Sequence, residues 1–136
     1  MSGENKMLRF CLTFVFLAAL GSASGQQRIY DQSGRLLGRM VSERFHDDTG
    51  RLIGQIRGES ILDDSGRLLG RLSQNRILNA GGRLIYRIDG DRLFDAGGKL
   101  IARFDGTRLL DSSGRMLARF EGFRREDVWV FYCFFM

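Results

Sequence analysis

The chain has 136 residues, of which 43% are hydrophobic and 27% charged, with a formal net charge of +5, two cysteines, one histidine and no proline. A chain of this size suits one domain with a shared core and needs no metal or disulfide to hold it. So small a basic excess is unlike that of a dedicated nucleic-acid binder, and one histidine with two distant cysteines offers no Cys/His metal cluster.

Residues 1–25 read as a signal peptide. Lys6 and Arg9 precede an apolar run from Phe10 to Leu20, and Gly21, Ser22, Ala23, Ser24 and Gly25 supply a small-residue cleavage zone in which a cut after Ala23 or Gly25 fits. The apolar run falls short of the ~20 residues of a membrane-spanning helix. Cys11 lies inside it with no small-residue stretch before it, so it is not read as a lipid-attachment site. The expected destination is the periplasm or the exterior, the cell surface included. After the leader only Cys133 is left, so no internal disulfide is expected.

Residues 26–136 read as a single β-hairpin repeat domain. Six 16-residue units start at Arg28, Arg44, Ser60, Arg76, Arg92 and Arg108 without insertion or deletion. A strict period of this kind marks one small supersecondary element that buries its apolar face only against its neighbours. The apolar segments are too short for stable helices and are bounded by Asp and Gly, so each unit is two short strands. The expected fold class is all-β: a pseudo-symmetric array of short hairpins, flower-like or propeller-like, closed by an apolar C-terminal segment over 124–136.

Within each unit an Asx residue stands three places before a glycine: Asp31 and Gly34, Asp47 and Gly50, Asp63 and Gly66, Asn79 and Gly82, Asp95 and Gly98, Asp111 and Gly114. An Asx side chain accepts a hydrogen bond from the backbone two residues on, and the glycine takes the positive φ that ends a type I turn with a bulge. These carboxylates are therefore read as turn formers and not as metal ligands or acid catalysts. The second turn of the unit carries Asp-Gly at Asp89-Gly90 and Asp105-Gly106, a strong hairpin signal. Strict alternation along the longer strand would place Leu36, Gly38 and Met40 inward, with the equivalent trios in the other units, and Leu37 on the opposite face. Tyr86 takes the small-residue position and marks an outward step or a filled gap.

Beyond the leader every basic residue but Lys99 is an arginine, and after Lys6, Arg9 and Glu4 are set aside the excess is +4, from 19 basic and 15 acidic residues. Arginines at positions one, eight and twelve of the unit, beside the aspartate at position four, have the composition for cross-strand ladders of ion pairs. The alternative use is a polyanion-binding surface for an acidic glycan, lipopolysaccharide or DNA. Its candidates are Arg35, Arg39, Arg67, Arg71, Arg83, Arg87, Arg103, Arg115 and Arg119. Nucleic acid is the least favoured of these partners.

Arg124 and Asp127 fit positions one and four of a seventh unit, but the glycine is missing and a nine-residue apolar run, Val128–Met136, follows. Trp129, Phe131, Phe134 and Phe135 are the candidate core plug, filling the space that the small residues of the repeats leave. The rival is a segment that inserts into a membrane or a partner.

The leader, the Tyr30-Asp31-Gln32-Ser33-Gly34-Arg35-Leu36-Leu37-Gly38-Arg39 type of unit and the aromatic tail together resemble the small secreted β-flower proteins of bacteria, five-fold or four-fold. Tyr30 to Leu36 is also similar to the Tyr-Asp repeats of bacterial Rhs shells, whose units are longer. The β-flower resemblance implies hairpin petals around a pseudo-symmetry axis and brings no established activity with it. The residues give no catalytic set: His46 stands where other units have Tyr30, Leu62, Leu78, Phe94 or Leu110, and Ser33, Ser65 and Ser113 recur as turn residues. The expectation is a non-enzymatic structural or interaction module of the bacterial envelope, with no cofactor. Its partner is an envelope glycan or protein, or a membrane contacted through the C-terminus.

Overall fold

A computed structural model describes residues 26–136; the leader reading, with Cys11, lies outside the described residues. The strands are β1 Gln27–Asp31, β2 Leu36–Val41, β3 Arg44–Asp47, β4 Leu52–Arg57, β5 Ser60–Asp63, β6 Leu68–Ser73, β7 Arg76–Asn79, β8 Leu84–Asp89, β9 Arg92–Asp95, β10 Leu100–Phe104, β11 Arg108–Asp111 and β12 Met116–Glu121. One helix follows, α1 Arg125–Phe134. Every strand pairs antiparallel with the next, and β12 pairs back onto β1, so the sheet closes into a barrel. The all-β hairpin array expected from the repeat is what the chain forms, with two strands for each of the six units.

The two hairpin ends differ. At the Asx end, the first turn runs Asp31 to Arg35, where the Asp31 N–H donates to the Arg35 carbonyl at 2.8 Å and the Gly34 N–H to the Asp31 carbonyl at 3.1 Å. Gly34 takes φ +87°, which an L side chain rarely adopts. The turn feeds a β-bulge: Ile29 faces Gly38 but Tyr30 faces Leu36, leaving Leu37 extra. The same irregularity recurs in the equivalent hairpins, whereas the pairings across the linking turns are regular.

This bulge corrects the strict alternation. Leu36 sits opposite Tyr30 on the outer wall, and Leu37 packs against the core beside Gly38 and Met40. The same holds for Ile53, Leu69, Ile85, Ile101 and Leu117. An inserted residue resets which side chains point inward.

The barrel interior is a stack of rings. Ile29, Phe45, Ile61, Ile77, Leu93 and Leu109, one from each unit, are all fully buried. Below them come Met40, Ile56, Leu72, Ile88, Phe104 and Phe120, all in or against the core. Tyr86 is half-buried and packs inward, which makes it the filled gap and not an outward step.

The tail forms no seventh unit. Once β12 has closed onto β1, no sheet edge is left to pair with, and a segment inside the barrel must satisfy its own backbone groups, which a helix does. Glu126 and Asp127 lie in the first turn of α1, where negative charge complements the helix dipole. Trp129 and Phe131 are buried; Phe134 and Phe135 are half-buried and pack against the core. Phe131 lies 5.5 Å from Phe45 and 5.8 Å from Phe120, ring centre to ring centre, while Trp129 meets Phe104 edge-on at 6.5 Å. With Val128, Trp129 and Val130 fully buried, the first turns of α1 fill the core that the strands enclose.

Candidate functional site

The Asx turns dispose of the carboxylates first. Asp31 Oδ1 accepts from the backbone N–H of Ser33 and Arg35, both at 2.9 Å, and from the Ser33 hydroxyl at 2.7 Å. Asp47, Asp63 and Asp111 repeat all three bonds, and Asp95 and Asn79 make the two backbone ones. The turn hydrogen bonds hold the Asp31, Asp47, Asp63 and Asp111 carboxyls below the usual aspartate value, and bonds from Arg108 and Thr107 do so for Asp105. No group of three His, Cys, Asp or Glu side chains is placed to hold a metal among the described residues.

A carboxyl whose folded value lies below its unfolded one contributes stability that is present above the unfolded pKa, near 3.8, and lost as pH falls through the folded value. The urea midpoint is therefore expected to fall below about pH 4. Asp63→Asn, which copies the neutral acceptor of Asn79, should keep the turn while reducing that acid dependence. An unchanged acid limb in this variant would remove the turn carboxylate as its cause.

The arginines are left without the expected partners. Among the described residues the ion pairs are Arg108 with Asp105 at 2.8 Å, Arg119 with Glu121 at 2.6 Å and Arg124 with Asp127 at 3.3 Å. The ladder of arginines paired with turn aspartates does not form, because those carboxylates bond their own loops. Instead, position one of each unit faces position twelve across the strands. Arg28 faces Arg39, Arg76 faces Arg87, Arg92 faces Arg103 and Arg108 faces Arg119. The series lapses only at Arg44 with Gln55 and Ser60 with Arg71. Like charges directly opposite destabilise a sheet, so this arrangement is not explained by folding.

The nine arginines singled out from the sequence thus fall into two tiers. Arg39, Arg71, Arg87, Arg103 and Arg119 stand on the barrel wall, while Arg35, Arg67, Arg83 and Arg115 stand at the Asx-turn rim. Sequence reasoning missed Arg28, Arg44, Arg76, Arg92 and Arg108, the position-one arginines of the wall tier. The signal was available in the register: counting back across each Asx turn with one bulge residue brings position one opposite position twelve. On its other side position twelve faces the third residue of a neighbouring unit, so that Arg39 meets His46, Arg87 meets Phe94 and Arg119 meets Tyr30. The Arg119 guanidinium carbon lies 4.5 Å from the Tyr30 ring centre. An interrupted belt of opposed arginines, present at four of the six hairpins and flanked by apolar, aromatic or imidazole side chains, thus lines the wall.

The remaining ionisable groups offer little reactivity. Burial pushes the Cys133 thiol up to about 12, leaving it protonated and a poor nucleophile at neutral pH. Burial also raises Tyr86 and Tyr132 and, against the pull of Arg124, Asp127. His46 Nδ1 lies 3.3 Å from the Gly50 carbonyl within its own turn.

The strands close into a barrel of repeated hairpins filled by one C-terminal helix, and comparison with known families matches residues 26–136 to the 5-fold beta-flower proteins. The chain belongs to the 5-fold beta-flower family. No curated protein and no solved structure matches it. This β-flower carries six hairpin units in its ring, one more than the family's description counts.

Proposed function

We propose that this β-flower is an exported, non-enzymatic interaction module of the bacterial envelope, and that it binds an anionic envelope component through its outer wall. The observation that carries the reading is the set of opposed arginine pairs, Arg28 with Arg39, Arg76 with Arg87 and Arg92 with Arg103, none of them in an ion pair among the described residues. Opposed arginines on an exposed wall cost the sheet a little, and an anion that bridges them offsets that cost. The basic n-region, apolar run and small-residue zone of residues 1–25 support export. The burial of Val128, Trp129, Val130 and Phe131 supports the outer wall over the tail as the binding surface.

Two measurements test the reading. Residues 1–25 fused to a reporter active only outside the cytoplasm should switch it on. Binding to a sulfated polysaccharide such as dextran sulfate should weaken by about tenfold or more between 50 and 200 mM salt, as for any ligand held through several charge contacts. Salt-independent binding, or none, would exclude an anion-binding wall.

A further inference from the structure

The belt is not uniform. Beside Arg76 and Arg87 the wall opens into a groove of about 380 Å³, lined by Asn75, Arg76, Arg87, Asp89, Phe94 and Gly98 among others, against a hollow of only about 80 Å³ beside Arg28 and Arg39. That volume lies in the range of small-ligand sites. Arg76 and Arg87 are cross-strand neighbours on β7 and β8, and Arg87 is also the neighbour of Phe94 on β9, so the three form a row across three adjacent strands. The Arg87 guanidinium reaches over the Asx turn of β9, where a Cβ added to Gly98 would stand 3.9 Å from its Nη2. Asp89 lines the same groove, but its cross-strand neighbour is Arg92 and it forms no ion pair with Arg76 or Arg87. The pair at Arg108 and Arg119, by contrast, is already answered by Asp105 and Glu121.

We infer that this groove is the principal ligand seat of the wall and takes one acidic sugar unit of a polysaccharide. Its carboxylate or sulfate lies between Arg76 and Arg87, and its ring lies against Phe94. Guanidinium forks suit planar or multidentate oxyanions. The apolar face of Phe94 beside them gives a sugar ring a contact that a bare inorganic anion cannot use. The inference rests on the anion-binding reading above and narrows it to one place and one chemistry.

The test uses protein expressed from the full-length chain, with dextran sulfate, polygalacturonate, inorganic sulfate and uncharged dextran as probes. Arg76→Gln/Arg87→Gln is expected to weaken binding of the charged probes about tenfold, and Arg28→Gln/Arg39→Gln, which removes one general charge contact of the wall, only about threefold. Asp89→Asn should strengthen binding by about twofold, and Phe94→Leu should weaken dextran sulfate by about threefold while leaving inorganic sulfate unchanged. Thermal unfolding of both double variants should be unchanged or raised, since each removes a like-charge contact. Equal losses in the two double variants, or no loss at Arg76 and Arg87, would overturn the groove while leaving the charged wall standing. Equal binding of uncharged dextran, or no binding of any probe by the unaltered protein, would overturn the reading beneath it. Preference for dextran sulfate over polygalacturonate, or the reverse, identifies which oxyanion the groove takes.

Discussion

Trp129→Ala is expected to lower the unfolding free energy by about 3–5 kcal/mol, the largest effect of any single substitution in this chain. Trp129 is the largest fully buried side chain and stands near the middle of α1, edge-on to Phe104. Its removal leaves a cavity that β-strands already locked in a closed ring cannot collapse to fill. The indole N–H has no acceptor among the described residues, so Trp129→Phe, which keeps most of the ring and drops that group, should cost much less. Urea unfolding followed by circular dichroism measures both. A loss below about 1 kcal/mol for the alanine variant would mean that the helix does not hold the barrel together. A chain ending at Phe123 extends the same logic, since the loss of α1 removes Val128, Trp129, Val130 and Phe131 from the core at once. It should show no cooperative transition.

Gly70→Ala is expected to cost about 1–3 kcal/mol, unusually much for the addition of one methyl group. A Cβ at this position would stand 2.3 Å from the Leu78 carbonyl oxygen and 2.6 Å from the Phe134 ring. The ring can turn aside; the carbonyl belongs to the neighbouring strand and cannot move without disturbing the ladder. Phe134→Leu in the same chain should therefore recover only part of the loss, and a double-mutant cycle separates the two terms. Full recovery would assign the whole cost to the ring. Units four to six carry Tyr86, Ala102 and Ala118 at the equivalent position, so those strands are spaced to take a Cβ; the carbonyl contact recurs at Gly38 and Gly54, and the ring contact is confined to Gly54 and Gly70, against which the end of α1 lies.

The hairpin array was legible because its determinants are local. Asp63, Ser65 and Gly66 specify their turn through hydrogen bonds within five residues, and the unit length then sets every strand in register. Closure of β12 onto β1 was less legible, because it joins residues almost a full chain apart and depends on the twist accumulated over all the strands. The bulge was missed for another reason: Leu36 and Leu37 are chemically alike, so nothing in their identities says which one faces in. The helix at Arg125–Phe134 was hidden by composition, since Val, Trp, Phe and Tyr favour strands. Burial inside a ring with no free edge overrides that preference. On the outer wall, the arginines of position twelve could be picked out as a row, but their opposition to Arg28, Arg76, Arg92 and Arg108 emerges only once the bulge is counted.

A ring of six nearly equivalent units offers a central rod six rotational seats of similar energy, and a protein that populated several of them would have no single native state. The chain lifts this degeneracy with a few side chains. Gly54 and Gly70 leave hollows into which the Phe135 and Phe134 rings fit, where a Cβ would come within 2.2 and 2.6 Å of them. Tyr86, Ala102 and Ala118 narrow the bore on units four to six, and Phe104 and Phe120 fill it further. The departures from perfect repetition thus act as a key that selects one orientation of α1, and through it makes each of the six outer faces distinguishable from the rest.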